Sequence, residues 1–181
     1  MSHIIIVTGS ARPTSIAKKV LPVIEGVLSR INSVDTSVVN VAELQLPFYD
    51  SPAPASQEDF APTDKHVKAW TEMIASADGV ILLTPEYNGN MTGIQKNAID
   101  WVFKEWNGKP VALIGYGWYE ASRAHAAAQV SLSVVKAKTV EPFAQLQFMK
   151  DISVEGEVID SAAVSVKIET TLNALVDVID T

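Results

Sequence analysis

Cysteine is absent from the 181 residues, which removes disulfide frameworks, thiolate nucleophiles and cysteine-based metal sites. Histidine is scarce: His3, His66 and His125 lie far apart and share no ligand spacing, so no metal centre is expected. No apolar run approaches the roughly 18 residues that a membrane span needs. The opening Met1-Ser-His-Ile-Ile-Ile-Val-Thr-Gly9 lacks the basic segment of a signal peptide, so a cytoplasmic location is expected. Basic residues are outnumbered, 14 Lys and Arg against 21 Asp and Glu, for a net charge of −7. That is the wrong sign for a general nucleic-acid binder. An anionic ligand must therefore be held by local donors. The chain also lacks a Walker A sequence, a G-x-G-x-x-G fingerprint, a G-x-S-x-G elbow and a recognisable Ser-His-Asp constellation.

What is present is globular. A hydrophobic content of 48% with 19% charged residues suits one domain with a substantial core. Ile4 to Val7 reads as a β-branched strand, and helical spacing begins at Thr14, with Pro22 as an interior blemish. Ser33 to Val41 reads as a second strand. Leu44 to Pro62 is proline-rich and shows no period, as functional or mobile segments often do. Asp64 to Ala77 reads as a helix, Val80 to Leu83 as a buried strand, and Gly93 to Val102 as a helix. A fourth strand spans Lys109 to Ile114 and a helix Ala121 to Lys136. A fifth strand starts at Thr139 to Glu141 and resumes near Leu146 to Met149, before a closing helix over Ser161 to Ile179.

Strands that are apolar without alternation, with helices between them, predict a parallel sheet covered on both faces. Ligands collect outside the carboxyl ends of such strands. Three irregular loops fall there: Thr8 to Ser15, Thr84 to Thr92, and Gly115 to Ser122. In the first, Ser10, Thr14 and Ser15 offer hydroxyls, Arg12 a planar cation, and the helix start unpaired N–H groups, which together suit a terminal phosphate. Taken alone, the same residues are explained as well by an ordinary N-cap and a solvated arginine. The second loop, "TPEYNGNMTG", is either a turn cornered at Asn88-Gly89 or a surface that holds something.

Gly9-Ser-x-Arg12 with Ser15, then Pro85-Glu-Tyr-Asn88, then Lys96-Asn-Ala-Ile-Asp-Trp101 resembles the NADPH-dependent FMN reductase family over roughly residues 3 to 135. The resemblance implies a flavodoxin-like fold, a doubly wound five-stranded parallel sheet of order 2-1-3-4-5. It implies FMN as cofactor and NADPH or NADH as hydride donor, with a quinone, flavin, azo dye or metal oxyanion as acceptor. Ser10, Arg12, Ser15, Ile16 and Ala17 would wrap the phosphate; Pro85, Glu86, Tyr87, Asn88 and Gly89 would line the ring. No side chain is assigned an acid–base role, because the cofactor carries the chemistry. Two substrates using one ring face in turn would give ping-pong kinetics. The alternatives are a flavodoxin-type electron carrier and a binding protein that has kept the fold without flavin.

Where family members commonly carry Ser-x-Gly and then Gly-Gly-x-Arg-Ala, this chain has Gly115-Tyr-Gly117 and Glu120-Ala-Ser-Arg-Ala124. Gly117 matches. Gly115 can serve a flavin only through its backbone, and Ala17 stands where a polar Asn is frequent. Asn97 and Asp100 are candidates for tying the second loop to its helix, while Trp101 is expected inside. The family also implies a homodimer or homotetramer. The aromatics Trp101, Phe103, Trp106, Trp118 and Tyr119 flank the loops, and residues 93 to 106 with 118 to 119 are expected at the interface, the alternative being that these aromatics belong to the core.

Overall fold

The computed structural model describes residues 1–31 and 34–181. Five strands, β1 (Ser2–Thr8), β2 (Val34–Asn40), β3 (Gly79–Pro85), β4 (Pro110–Gly117) and β5 (Lys138–Gln147), form one sheet of order β2-β1-β3-β4-β5. All pairings are parallel. This is the flavodoxin-like arrangement expected from the sequence. Among the described residues, five helices connect and cover it: α1 (Ala17–Leu28), α2 (Lys65–Ser76), α3 (Gly93–Asp100), α4 (Ser122–Val134) and α5 (Ser161–Ile179). The closing helix has the predicted bounds.

Burial explains the apolar runs. Every residue of the central β3 is buried, and its side chains feed two cores. Ile81 and Leu83 pack under α1 and α5. Val80 and Leu82 pack with Trp70, Ala98, Trp106 and Leu132 from the opposite layer. At the sheet edge β2 is largely exposed, and its sequence is accordingly polar, Asp35-Thr-Ser37.

Several boundaries differ from the sequence reading. The first helix begins at Ala17 rather than Thr14, because residues 13 to 16 turn before α1 engages. Pro22 sits on the exposed side of α1 without ending it, where the carbonyl that its missing N–H leaves free is open to solvation rather than sealed in the core. The two fragments expected for the last strand are one strand, with a register irregularity opposite Ala112 to Ile114. Of the expected second strand, Ser33 lies outside the described residues, and Val41 belongs to a 3-10 turn.

The proline-rich stretch is pinned onto α3. Asn97 accepts from the Tyr49 N–H (2.8 Å) and donates from Nδ2 to the Pro47 carbonyl (2.8 Å), which also receives the Trp101 indole N–H (2.8 Å). Asn97 therefore holds residues 47 to 49 rather than the Thr84 to Thr92 loop. Asp100 pairs with Lys96 one turn away (2.5 Å) at the partly exposed helix surface. Trp101 and Trp106 are buried within the chain and Phe103 is half-buried, so these three present little surface to a partner. Trp118 and Tyr119 stay exposed, at 60% and 59%.

Candidate functional site

The carboxyl ends of β1, β3, β4 and β5 open into a cleft of about 680 Å³. Its first wall is the loop after β1. Gly9 extends the strand ladder by donating to Leu83 (2.9 Å), and Thr92 fixes its carbonyl from the far side (2.5 Å). The Gln95 side chain lies flat beneath: Oε1 accepts from Thr84 Oγ1 (2.8 Å) and stands 2.5 Å from where a Cβ on residue 9 would be. Gln95 Nε2 is buried without a hydrogen-bond partner. The sequence reading missed Gln95. Its one signal is the Thr92-x-x-Gln95 spacing of a capping box, but here the amide turns to Thr84 instead.

Beyond Gly9 the chain presents hydroxyls. Ser10 Oγ accepts from the Arg12 N–H (3.3 Å), and Ser15 Oγ accepts from the Ala17 N–H (3.2 Å). A serine that accepts from backbone keeps its own hydrogen to give. Tyr87 shares a hydrogen bond with Ser10 (2.9 Å), linking this loop to the next. Arg12, Lys18, Lys19 and Ile16 also line the cleft. The Ala17 methyl turns into the core. Lys18 and Lys19 have no part in the sequence reading, and reach the cleft because α1 starts there.

The second wall follows β3. Pro85, Glu86 and Tyr87 line the cleft, and Tyr87 and Asn90 exchange both backbone hydrogen bonds (2.9 and 3.1 Å). Between them Asn88 (φ 52°) and Gly89 (φ 75°) make the corner. Two consecutive positive φ angles in a two-residue hairpin are what Asn-Gly tolerates best.

The third wall, after β4, departs from that rule. Glu120 and Ala121 both sit at φ 58° with no glycine to ease the conformation. A Cβ at Gly115 would stand 2.4 Å from His125 Nε2 and 2.5 Å from the Ala121 Cβ. Gly115 and Ala121 are therefore one exchange: the methyl absent from the strand is supplied by the loop. Because Ala121 offers no capping oxygen, Glu86 takes over. Its buried carboxylate accepts from the Arg123 N–H at the start of α4 (3.2 Å), with the Arg123 guanidinium 3.9 Å away. A negative group is favourable at that helix end. Gly117 lies next to Glu86, and Arg123 stacks over the Tyr119 ring at 4.1 Å. His125 is buried against Phe143, and neither ring nitrogen finds a hydrogen-bond partner. Burial pushes its pKa down to about 4, outweighing an opposing contribution from the Ile114 backbone.

A fourth wall was not anticipated. Phe148, Val154 and Glu155, from the connection between β5 and α5, close the remaining side of the cleft. The connection is held by buried Asp151, which accepts from the Gln147 N–H (2.8 Å) and Lys167 Nζ (2.7 Å), and by an ion pair between Glu157 and Lys19. Phe148 meets Trp118 edge to face at 5.5 Å. Residues 148 to 160 carry no period or motif, so only their position after the last strand could have marked them. Among the described residues no three of His, Asp and Glu gather as metal ligands, and no helix is long and apolar enough to cross a membrane.

Comparison with known proteins accords with this geometry. An NAD(P)H-dependent FMN reductase from a Nectria species is 38% identical over 148 residues, covering 78% of this chain and 73% of that protein. A 2-hydroxy-1,4-benzoquinone reductase from a Burkholderia species is 33% identical over 117 residues, 62% of this chain and 58% of that one. Among solved structures, a flavoenzyme NAD(P)H:(acceptor) oxidoreductase from Paracoccus denitrificans superposes with a TM-score of 0.78 at 26% identity. That match covers 99% of this chain and 98% of the other. The family described as NADPH-dependent FMN reductase matches residues 2–149, and the chain belongs to it: an FMN-dependent oxidoreductase that uses NAD(P)H.

Proposed function

We propose that the cleft holds FMN with its phosphate on the loop after β1 and its ring along the loop after β3. The carrying observation is the make-up of the cleft. Its lining gathers Arg12, Lys18 and Lys19 and the hydroxyls of Ser10, Thr14 and Ser15 beside the flat or apolar side chains of Pro85, Tyr87, Trp118, Phe148 and Val154. In a chain of net charge −7, Arg12 and Lys18 are cations available to a dianion, Lys19 being paired with Glu157, and flat apolar walls fit a planar ring. On this reading Ser10, Arg12 and Ser15 bind the phosphate through side chains, and Ile16 and Ala17 through backbone at the helix start. Pro85 to Gly89 shelve the ring, and Gly115 and Gly117 offer only backbone.

Bound FMN supplies hydride transfer from NAD(P)H and return of electrons to an acceptor. The protein positions the ring and leaves one face open. The acceptor class is a quinone, a free flavin, an azo compound or a metal oxyanion, reduced in the cytoplasm. A second copy of the chain covers exposed Trp118 and Tyr119 in a homodimer or homotetramer; light scattering at micromolar concentration checks this, and a monomeric mass refutes it.

The test is an FMN titration followed by absorbance, with NADPH added to the loaded protein. Binding and bleaching of the flavin spectrum are expected. Arg12→Ala should lose a charge-assisted contact and weaken FMN binding by about 1.5–3 kcal/mol. An unchanged Kd in that variant defeats the phosphate assignment.

A further inference from the structure

One hydroxyl of the cleft has no part in the assignments above. Tyr116 precedes the last residue of β4, in register with Pro85 of β3. Its ring is 3% exposed and packs in the core layer under α1 and α5, tilted against Phe148 at 6.3 Å. The side chain nevertheless lines the cleft, together with Arg12, Ser15 and Tyr87. Its ring shares that core layer with Ile16 and Ala17 at the start of α1, and it lines the cleft beside Ser15. Two strand ends thus deliver two phenols to one loop: Tyr87 from beyond β3 to Ser10, and Tyr116 from β4 towards Ser15.

Ala17, the first residue of α1, buries its methyl and so offers no side-chain donor, and Ser15 Oγ competes for its N–H (3.2 Å). A phenol aimed there adds a donor without adding charge. Burial raises the Tyr116 pKa to about 12, against a smaller opposing pull from Ser15. The group therefore keeps its proton throughout the working range and cannot repel an anion by ionising.

We propose that Tyr116 is a phosphate-binding residue of the cleft, donating its phenolic O–H to a terminal phosphate oxygen of the ligand held at the start of α1. This rests on the reading of the cleft as an FMN site. Tyr87 plays the complementary part of orienting Ser10.

The experiment compares Tyr116→Phe with the parent, titrating each with FMN and with riboflavin, which lacks the phosphate. The phenylalanine ring keeps the packing against Phe148, and thermal melts check that the fold is retained. Tyr116→Phe should weaken FMN binding by about three- to tenfold, the range of one lost hydrogen bond, and leave riboflavin binding unchanged. The phosphorus resonance of bound FMN should also move. An unchanged FMN affinity overturns the inference, as does an equal loss for both flavins, which would mean packing alone. Failure of the parent to bind FMN overturns the reading of the cleft and this inference with it.

Discussion

Two walls of the same cleft pass twice in succession through left-handed backbone, and they do so by opposite means. Asn88 and Gly89 adopt φ 52° and 75° in a hairpin corner whose residue types favour that geometry. Glu120 and Ala121 adopt φ 58° each, where the side chains oppose it at about 1–2 kcal/mol per residue. The first turn is dictated locally. The second is imposed from outside: Ala121 fills the space left by Gly115, Glu86 caps α4 in its place, and His125 packs behind. Strain of this kind persists only where surrounding contacts over-determine the backbone.

The largest effect expected concerns His125, on which the imposed loop rests. Its folded pKa of about 4 lies below the ordinary 6.5, so the unfolded chain binds a proton before the folded one does. Stability attached to the neutral ring is complete above pH 6.5 and is lost as pH falls towards 4. Roughly 2–3 kcal/mol should go by pH 4.5. Melts at pH 7 and 4.5 should show a steeper fall for the parent than for His125→Leu; equal slopes would detach His125 from acid sensitivity.

Next in size is Gly115→Ser, which drives a Cβ into Ala121 and His125 and should destabilise by about 2 kcal/mol. Adding Ala121→Gly should restore part of the loss, since it vacates one of the two contacts. Additive penalties in the double variant would mean that the two positions are independent.

The turns themselves should then respond in opposite directions. Gly89→Val puts a β-branched residue at φ 75° and should cost about 1–2 kcal/mol. It should also weaken FMN binding by obstructing the ring shelf. Glu120→Gly should stabilise by about 0.5–1 kcal/mol, relief of strain exceeding the added freedom of the unfolded chain. Its ion pair with Lys150, at 3.8 Å and largely exposed, is worth too little to reverse the sign. Chemical denaturation measures both. A stabilised Gly89→Val or a destabilised Glu120→Gly would erase the contrast between the walls.

The sheet is legible in the chain before folding, because buried parallel strands must be apolar on both faces and Ile4–Val7, Val80–Leu83 and Val111–Ile114 are. So are the closing helix and the corner at Asn88-Gly89, where local chemistry and final structure agree. The sequence also marks three of the four loops around the cleft, since each breaks an apolar pattern with glycine, proline or hydroxyl residues. Packing alone shows that Asn97 serves Pro47 and Tyr49, that Gln95 props Gly9, and that Trp106 is interior, whereas the burial of Trp101 is already expected from the sequence. It alone brought Phe148, Val154 and Glu155 to the cleft. Those contacts join residues dozens of positions apart, or depend on where a patternless segment comes to rest. No periodicity or propensity records them, because their energy exists only once the strands have been set side by side.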